Sequence, residues 1–291
     1  MKKTALLLNI IVMILLVSCK QQANVESDDS VDSEPEIKRQ EPKSVAYRLE
    51  NTKQWLAANA TNSKALKIAY AVNRTDATNL KLMDSIVVPE DVSGDVEFYL
   101  PFPLTVPYLK EIEKIVFFSY PTQTFAAYEK GQLVYSGPTN MGREKDQTPR
   151  GLSFTNWKAE ETTSTFNDEW DLRWNFNIEN KLGVGWHQYE LPGYPASHSC
   201  LRMQENDAKF MYKWADEWQL ADSETVKVKG TPVIVFGDYD FSAPRPWFQL
   251  TSNPKVLDIS ENEIKQQTMP FLNDILKEQK NRQKVQTAKV L

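Results

Sequence analysis

The sequence predicts a mainly β domain with a few helices, preceded by a small α+β unit. Three observations predict it. From about residue 46 onward the composition is globular, and all eight tryptophans fall in this part. Between residues 112 and 236, short runs rich in Val, Ile, Phe, Tyr and Trp alternate with Gly, Pro and Asn, the pattern of strands and turns. Helical apolar spacing is clear only around residues 206–218, with a second helix signalled after Ser260.

The first segment, residues 1–18, reads as an export signal. Lys2 and Lys3 supply a positive start, and Ala5 to Val17 an apolar run. The run is too short for a membrane span, which needs about 20 apolar residues. Leu16-Val17-Ser18-Cys19 resembles the lipobox of bacterial lipoproteins, and that resemblance implies cleavage before Cys19 and lipid attachment to it. The alternative is an ordinary secretory signal with an incidental cysteine. Lys20, where some bacteria place an inner-membrane retention Asp, points to the outer membrane. Residues 19–45 hold many charges, two prolines and no aromatic residue, so they cannot bury enough apolar surface to offset their ordering entropy. They are expected to be a disordered tether.

Residues 46–95 form the small N-terminal unit. Leu66 to Arg74 reads as a short helix or a strand, and Asn79 to Pro89 as a turn followed by a strand. Val72-Asn73-Arg74, Leu80 and Asp84 to Pro89 resemble the closing half of a LysM peptidoglycan-binding module, whose opening half is not recognisable here. A structural unit packing on the next domain is the other reading.

Residues 96–240 are the main domain. Ile115 to Tyr120 reads as a strand and Pro121-Thr-Gln as a turn. Phe125 to Tyr128, the hairpin turn Glu129-Lys-Gly-Gln and Leu133-Val-Tyr follow. Gly142 and Thr148-Pro149-Arg150-Gly151 mark loops before a strand at Leu152. Further strands are expected at Trp170 to Ile178 and Gly183 to His187. A helix with Asn206 as N-cap should bury Met211, Trp214, Ala215 and Trp218. Strands return at Thr225 to Lys229 and Pro232 to Phe236. Residues 241–291 form a partly helical C-terminal extension, with a capping box at Ser260 and Glu263 and a break at Pro270.

Charge excludes one class. The formal net charge is −5, or −7 without the leader's two lysines, and no basic patch suits nucleic acid.

Chemistry concentrates in one place. Both histidines and one of the two cysteines fall in the 14 residues from His187 to Cys200. A free thiol has a pKa of roughly 8.5, and a neighbouring imidazole can take its proton to leave a nucleophile. With Cys19 lipidated, Cys200 is a lone thiol in an exported protein, hence a candidate reactive one. His198, Cys200 and Arg202 are spaced by two, so an extended segment would put all three on one face, and His187 would arrive across the Pro192-Gly193-Tyr194-Pro195 turn at a sheet edge. Three readings of this cluster stand: a cysteine nucleophile with a histidine base, a zinc site of His187, His198 and Cys200 without an apparent fourth ligand, or a buried structural cluster.

Ser197-His198-Ser199-Cys200-Leu201-Arg202 resembles the Ser-His-Gly-Cys-(Ile/Val/Leu)-Arg signature of the L,D-transpeptidase family with the YkuD-type fold. Upstream pieces resemble that family in order: the Phe125 to Val134 hairpin, Gly142 with Thr148-Pro149-Arg150-Gly151, and the run from His187 to His198. The resemblance covers about residues 112–238. It implies a β-sandwich with the cysteine in a cleft and activity on peptidoglycan stem peptides. Cys200 would attack the third stem residue's carbonyl, expel D-alanine and pass the acyl group to an amine, giving a 3→3 cross-link or an attached protein. Passage to water would make an L,D-carboxypeptidase, and an idle fold would make a wall-binding lipoprotein.

The resemblance further implies His187 as general base, His198 shaping the cleft, and Arg202 bracing the loop or meeting a carboxylate. Backbone amides around Ser199 and Cys200 would form the oxyanion hole, and Ser197, Tyr194 and Gly193 would contact substrate. It implies no cofactor and no metal. The expected partners are stem peptides and, through Cys19, a membrane, on the periplasmic side of the envelope. Ser199 stands where the family has glycine, a strained choice if the position needs positive φ. Gln188 follows His187 where many members have glycine. Trp170, Trp174, Trp186 and Tyr194 could wall the cleft or serve as ordinary packing.

Overall fold

Asparagine and aspartate caps dictate the start of the fold. The computed structural model describes residues 37–164 and 171–290. The leader, Cys19, the tether up to residue 36 and Trp170 lie outside them. Strand β1 (Tyr47–Asn51) pairs antiparallel with β2 (Ser85–Pro89), Tyr47 opposite Pro89. Between them run α1 (Thr52–Asn59), α2 (Ser63–Val72) and α3 (Ala77–Leu80). Their N-caps Asn51, Asn62 and Asp76 each accept backbone N–H bonds from the first turn. The run from Leu66 is thus helical up to Val72: Asn62 starts the helix, and Ala65, Ile68, Ala69 and Val72 bury one face.

This region has its own apolar cluster of Trp55, Ala65, Ala69, Leu80, Ile86 and Val88. A second cluster, with Tyr47, Ile68, Val72 and Val87, closes on Trp247 and Leu250 from far down the chain. Residues 38–291 accordingly form one compact unit.

The main sheet has nine strands. They are β3 (Ile115–Ser119), β4 (Thr124–Glu129), β5 (Gln132–Asn140), β6 (Gly151–Phe154), β7 (Lys158–Thr163), β8 (Asp171–Glu179), β9 (Val184–Gln188), β10 (Leu201–Met203) and, after the short ribbon of β11 (Gln219–Leu220) and β12 (Val226–Val228), β13 (Pro232–Phe236). Their order is β6-β13-β3-β4-β5-β10-β9-β8-β7. Two pairings are parallel, β13 with β3 and β10 with β9.

Alternation decides the layers. Val116, Phe118, Phe125, Ala127, Val233 and Val235 point to one side, where they meet Phe176, Ile178, Val184 and Trp186. Strands far apart in the sheet order therefore share a single core, so one continuous sheet folds over to make the two layers expected of a sandwich. Ile115, Phe117, Ala126, Tyr128, Ile234 and Phe236 face the other way, under Ile264 and Ile275 of the C-terminal helices. The hairpin between β4 and β5 turns on Lys130 and Gly131, both at positive φ. A Cβ on Gly131 would lie 2.4 Å from the Val106 carbonyl oxygen, so no other residue fits.

Two local expectations shift, both in the helix after Cys200, while those for the C-terminal extension hold. Helix α4 (Glu205–Trp214) starts after Gln204, not after Asn206, and has no side-chain cap. The Gln204 amide is used elsewhere, donating to the Thr75 carbonyl at 2.9 Å. The helix ends at Trp214 because Ala215 turns extended, so Trp218 is not on it. At the C-terminus, Ser260 caps α5 (Glu261–Thr268) by accepting from Glu263 N–H. Pro270 falls in a 3-10 turn, Met269–Phe271, before α6 (Leu272–Val290).

Candidate active site

His187 is delivered by an interior strand. β9 is hydrogen-bonded to β8 on one side and β10 on the other, so His187 lies inside the sheet and not at an edge closed by the Pro192–Pro195 turn. Its residue is 4% exposed. Its Nδ1 lies 3.0 Å from the Gln188 carbonyl oxygen. A carbonyl only accepts, so Nδ1 carries the hydrogen and Nε2 is left with a free lone pair. Burial holds the imidazolium pKa down at about 4, partly offset by that carbonyl, so the ring is neutral at pH 7.

Cys200 is delivered by a loop. The extended geometry expected for residues 198–202 fails at Ser199, whose φ is +79°. The glycine of the family signature therefore answers a real backbone requirement, and serine meets it under strain. Side-chain hydrogen bonds hold the loop in place of a strand ladder. Thr148 Oγ1 donates to the Ser199 carbonyl at 2.9 Å and accepts from Gly142 N–H at 3.0 Å. Ser199 Oγ donates to the Asp146 carbonyl, and Ser197 Oγ to the Cys200 carbonyl at 2.6 Å. Backbone amides of Ala196 and Ser197 both donate to the Met141 carbonyl, and Arg143 N–H to the Ser197 carbonyl. Tyr120 fixes the far side by donating its hydroxyl to the Gly142 carbonyl.

The two deliveries meet. One cavity is lined by Ser164, Leu172, His187, Tyr189, Ser197, His198, Cys200 and Arg202. The Cys200 thiol has the Gly183 carbonyl oxygen at 3.8 Å as its hydrogen-bond partner, and no bond joins it to His187 among the described residues. Burial pushes the thiol pKa up, with a backbone hydrogen bond from Gly185 and then Arg202 pulling the other way. With sulfur pushed up and imidazole pushed down, the proton rests on sulfur.

Arg202 pairs in register with His187 across β10 and β9. Its guanidinium lies over the Tyr189 ring, 4.4 Å from the centroid. No carboxylate pairs with it among the described residues, so the cavity wall carries a cation suited to an anionic group. His198 stands at the rim, its Nδ1 2.9 Å from Arg143 and 3.4 Å from Asp146. Partial burial and the Arg143 guanidinium lower its pKa. Among the described residues no three His, Cys, Asp or Glu side chains are grouped as metal ligands.

Residues 113–235 match the family model of YkuD, the L,D-transpeptidase catalytic domain. This segment is thus similar to the L,D-transpeptidase catalytic domain of the YkuD family. Solved structures of similar fold include an L,D-transpeptidase from Mycobacterium smegmatis, at 19% identity, TM-score 0.34, covering 43% of this chain and 59% of that one. An L,D-transpeptidase from Stackebrandtia nassauensis shows 22% identity and TM-score 0.36, covering 43% and 56%. One from Mycobacterium tuberculosis H37Rv shows 20% identity and TM-score 0.35, covering 43% and 58%. The chain thus spans under two thirds of each of these proteins. No curated protein matches it.

The YkuD segment holds every residue of the expected cluster, but the structure distributes them unevenly. His187, Ser197, His198, Cys200 and Arg202 line one cavity. Ser199 lies in the same loop with its hydroxyl turned to Asp146. Gly193, at φ +80°, packs where a Cβ would lie 2.6 Å from Met83. Tyr194 is half exposed, with Arg245 over its ring. Trp186 is fully buried in the core, and Trp174 packs against Tyr212 and Lys209. Packing explains both tryptophans.

Sequence reasoning missed Arg143, Asp146, Tyr189 and Gly183. Only Thr148-Pro149-Arg150-Gly151 carried a visible signal, as a loop motif whose threonine proves to hold the cysteine loop.

Proposed function

We propose that the protein is a cysteine L,D-transpeptidase of peptidoglycan. The observation that carries this reading is the shared cavity of a lone thiol, a neutral imidazole with a free Nε2, and an unpaired guanidinium. In the reaction, Cys200 gives its proton to His187 Nε2 as sulfur attacks the carbonyl of the third stem residue. The proton cannot move first, because sulfur holds it more tightly than the buried imidazole does. The bond to D-alanine then breaks, and the imidazolium returns the proton to the leaving amine. An imidazolium of pKa about 4 is a strong acid for that step. A thioester remains, and an acceptor amine attacks it, losing its proton to His187 and releasing the thiol.

Amides near Ser199 and Cys200 are the candidates to stabilise the oxyanion. Arg202 suits a stem-peptide carboxylate. The envelope setting, with a lipid on Cys19 and an outer-membrane address, belongs to the same proposal. It fits the leader's composition.

The test is incubation with disaccharide-tetrapeptide muropeptides, read by mass spectrometry beside Cys200→Ala. Dimers formed with loss of one alanine, absent in the variant, are the expected result. Monomers shortened by alanine would make it a carboxypeptidase. The thiol's contact with the Gly183 carbonyl favours a second reading, an idle stem-peptide binder. Failure of a carbapenem to acylate Cys200, together with no Cys200-dependent product, would decide for that one.

A further inference from the structure

The four residues Asn73-Arg74-Thr75-Asp76 form a clasp between the N-terminal region and the loop that joins His187 to Cys200. Each side chain has a separate attachment. Asn73 holds β2, donating to the Val87 carbonyl and accepting from Val87 N–H. Arg74, buried and at φ +54°, donates Nε to the Thr122 carbonyl at 2.6 Å and Nη1 to the Val72 carbonyl at 3.0 Å. It thereby caps the C-terminal carbonyls of α2 and fixes that helix to the β3–β4 turn. Thr75 Oγ1 donates to the Leu191 carbonyl at 2.9 Å, and Thr75 forms an antiparallel bridge with Pro192. Asp76 Oδ2 accepts Leu191 N–H at 2.7 Å.

The geometry is directional. Leu191 has both its N–H and its carbonyl bound by the clasp, one to a carboxylate and one to a hydroxyl. Leu191 lies four residues after His187, and the Gln204 amide, four residues after Cys200, donates to the Thr75 carbonyl. The segment is therefore pinned four residues beyond each group, at Leu191 by the Thr75 and Asp76 side chains and at Gln204 by the Thr75 carbonyl. Asp76 could cap α3 with Oδ1 alone, which accepts from Thr78 and Asn79. Its second oxygen accepts from both the Asn79 side-chain amide and Leu191 N–H, and a charged acceptor makes a stronger bond than a neutral one.

We propose that Thr75 and Asp76 are positioning residues of the thiol site, and that the N-terminal region serves the reaction by fixing the His187–Cys200 loop. The proposal rests on the transpeptidase reading for its effect on turnover. Its effect on the thiol can be read without turnover.

The test uses the full chain, with Asp76→Ala, Asp76→Asn and Thr75→Val. The rate of iodoacetamide alkylation at Cys200 is followed against pH by peptide mass spectrometry, which separates it from Cys19. The His187 imidazole is titrated by NMR, where the chain's two histidines give two signals. Asp76→Ala and Thr75→Val are expected to change the Cys200 alkylation rate at least fivefold and to raise the His187 pKa as water reaches the ring. The kcat for muropeptide turnover should fall about tenfold with KM within twofold, and Asp76→Asn, which keeps an acceptor oxygen, should recover part of each effect.

Alkylation and His187 titration unchanged in folded Asp76→Ala and Thr75→Val would overturn the proposal. So would a loss confined to KM, which would make the region a substrate-binding part. Should Asp76→Ala not fold, Thr75→Val decides, since it removes one hydrogen bond at nearly constant volume. A wild-type protein without turnover would sink the transpeptidase reading and leave the alkylation and NMR comparison intact.

Discussion

His187 and Cys200 face the same cavity from two differently built regions. β9 holds His187 in register with Arg202 of β10 and lies against β8 on the other side, inside the folded sheet, with Trp186 beside it in the main core. The Cys200 loop has no such ladder and depends on side chains, Thr148, Ser197 and Ser199, plus the strained Ser199 backbone. A ladder fixes position through many weak, cooperative bonds. A loop pinned by single hydroxyls can shift when one is removed. The difference suits the roles proposed above: a base would have to keep its tautomer and dryness, whereas a nucleophile would have to leave its contact with the Gly183 carbonyl to reach substrate.

The comparison breaks most completely at the base. His187→Ala should lower kcat by about 10² to 10⁴, the usual span for a general base, with the sheet still folded by circular dichroism. A variant active within tenfold of wild type would show that the strand delivers packing and no chemistry.

Titration sharpens the same point. The folded pKa of His187 is depressed to about 4 from 6.5, so the stability tied to its neutral form is present above pH 6.5 and is lost as pH falls through 4. At 1.36 kcal/mol per unit this is on the order of 3 kcal/mol. Urea melts between pH 7 and 4 should show that loss, reduced in His187→Gln. The acid limb of kcat/KM should sit near pH 4 and not near 6.5.

On the loop side the effects are smaller. Thr148→Val leaves the Gly142 N–H and the Ser199 carbonyl without their partner, at a cost of about 1–3 kcal/mol in stability. Because these bonds shape the nucleophile's loop, kcat should fall about tenfold while His187 titrates as in wild type. Equal disturbance of His187 would show that the two regions are not independent.

Ser199→Gly should be the mildest change. It relieves a left-handed serine, about 1–2 kcal/mol, and loses the bond to the Asp146 carbonyl, about 1 kcal/mol. The two nearly cancel, so thermal melts should agree within a few degrees. A large loss would make the Ser199 hydroxyl the loop's main anchor.

Much of this was legible in the residues. Runs of β-branched and aromatic residues at Ile115 to Ser119 and Pro232 to Phe236 mark strands, because that preference is local. Ser260 with Glu263, and Lys130-Gly131 between apolar runs, announce a cap and a turn for the same local reason. The scarcity of histidine and cysteine points to the stretch between residues 187 and 200, where His187, Ser197, His198 and Cys200 line one cavity together with Arg202.

Tertiary structure decided the rest. The parallel pairing of β9 with β10 is made across an irregular crossover, and no local signal encodes which strands become neighbours. The positive φ at Ser199 is imposed by Thr148 and Asp146, some fifty residues upstream. Gln204 precedes α4 without a side-chain cap, and its amide instead donates to the Thr75 carbonyl, far away in sequence. Sequence by itself determined which groups could react and which segments were helix or strand, since both depend on residue type and near neighbours. The His187 tautomer partner, the protonated thiol and the clasp on Leu191 depend on burial and long-range contacts, and only the folded chain has those.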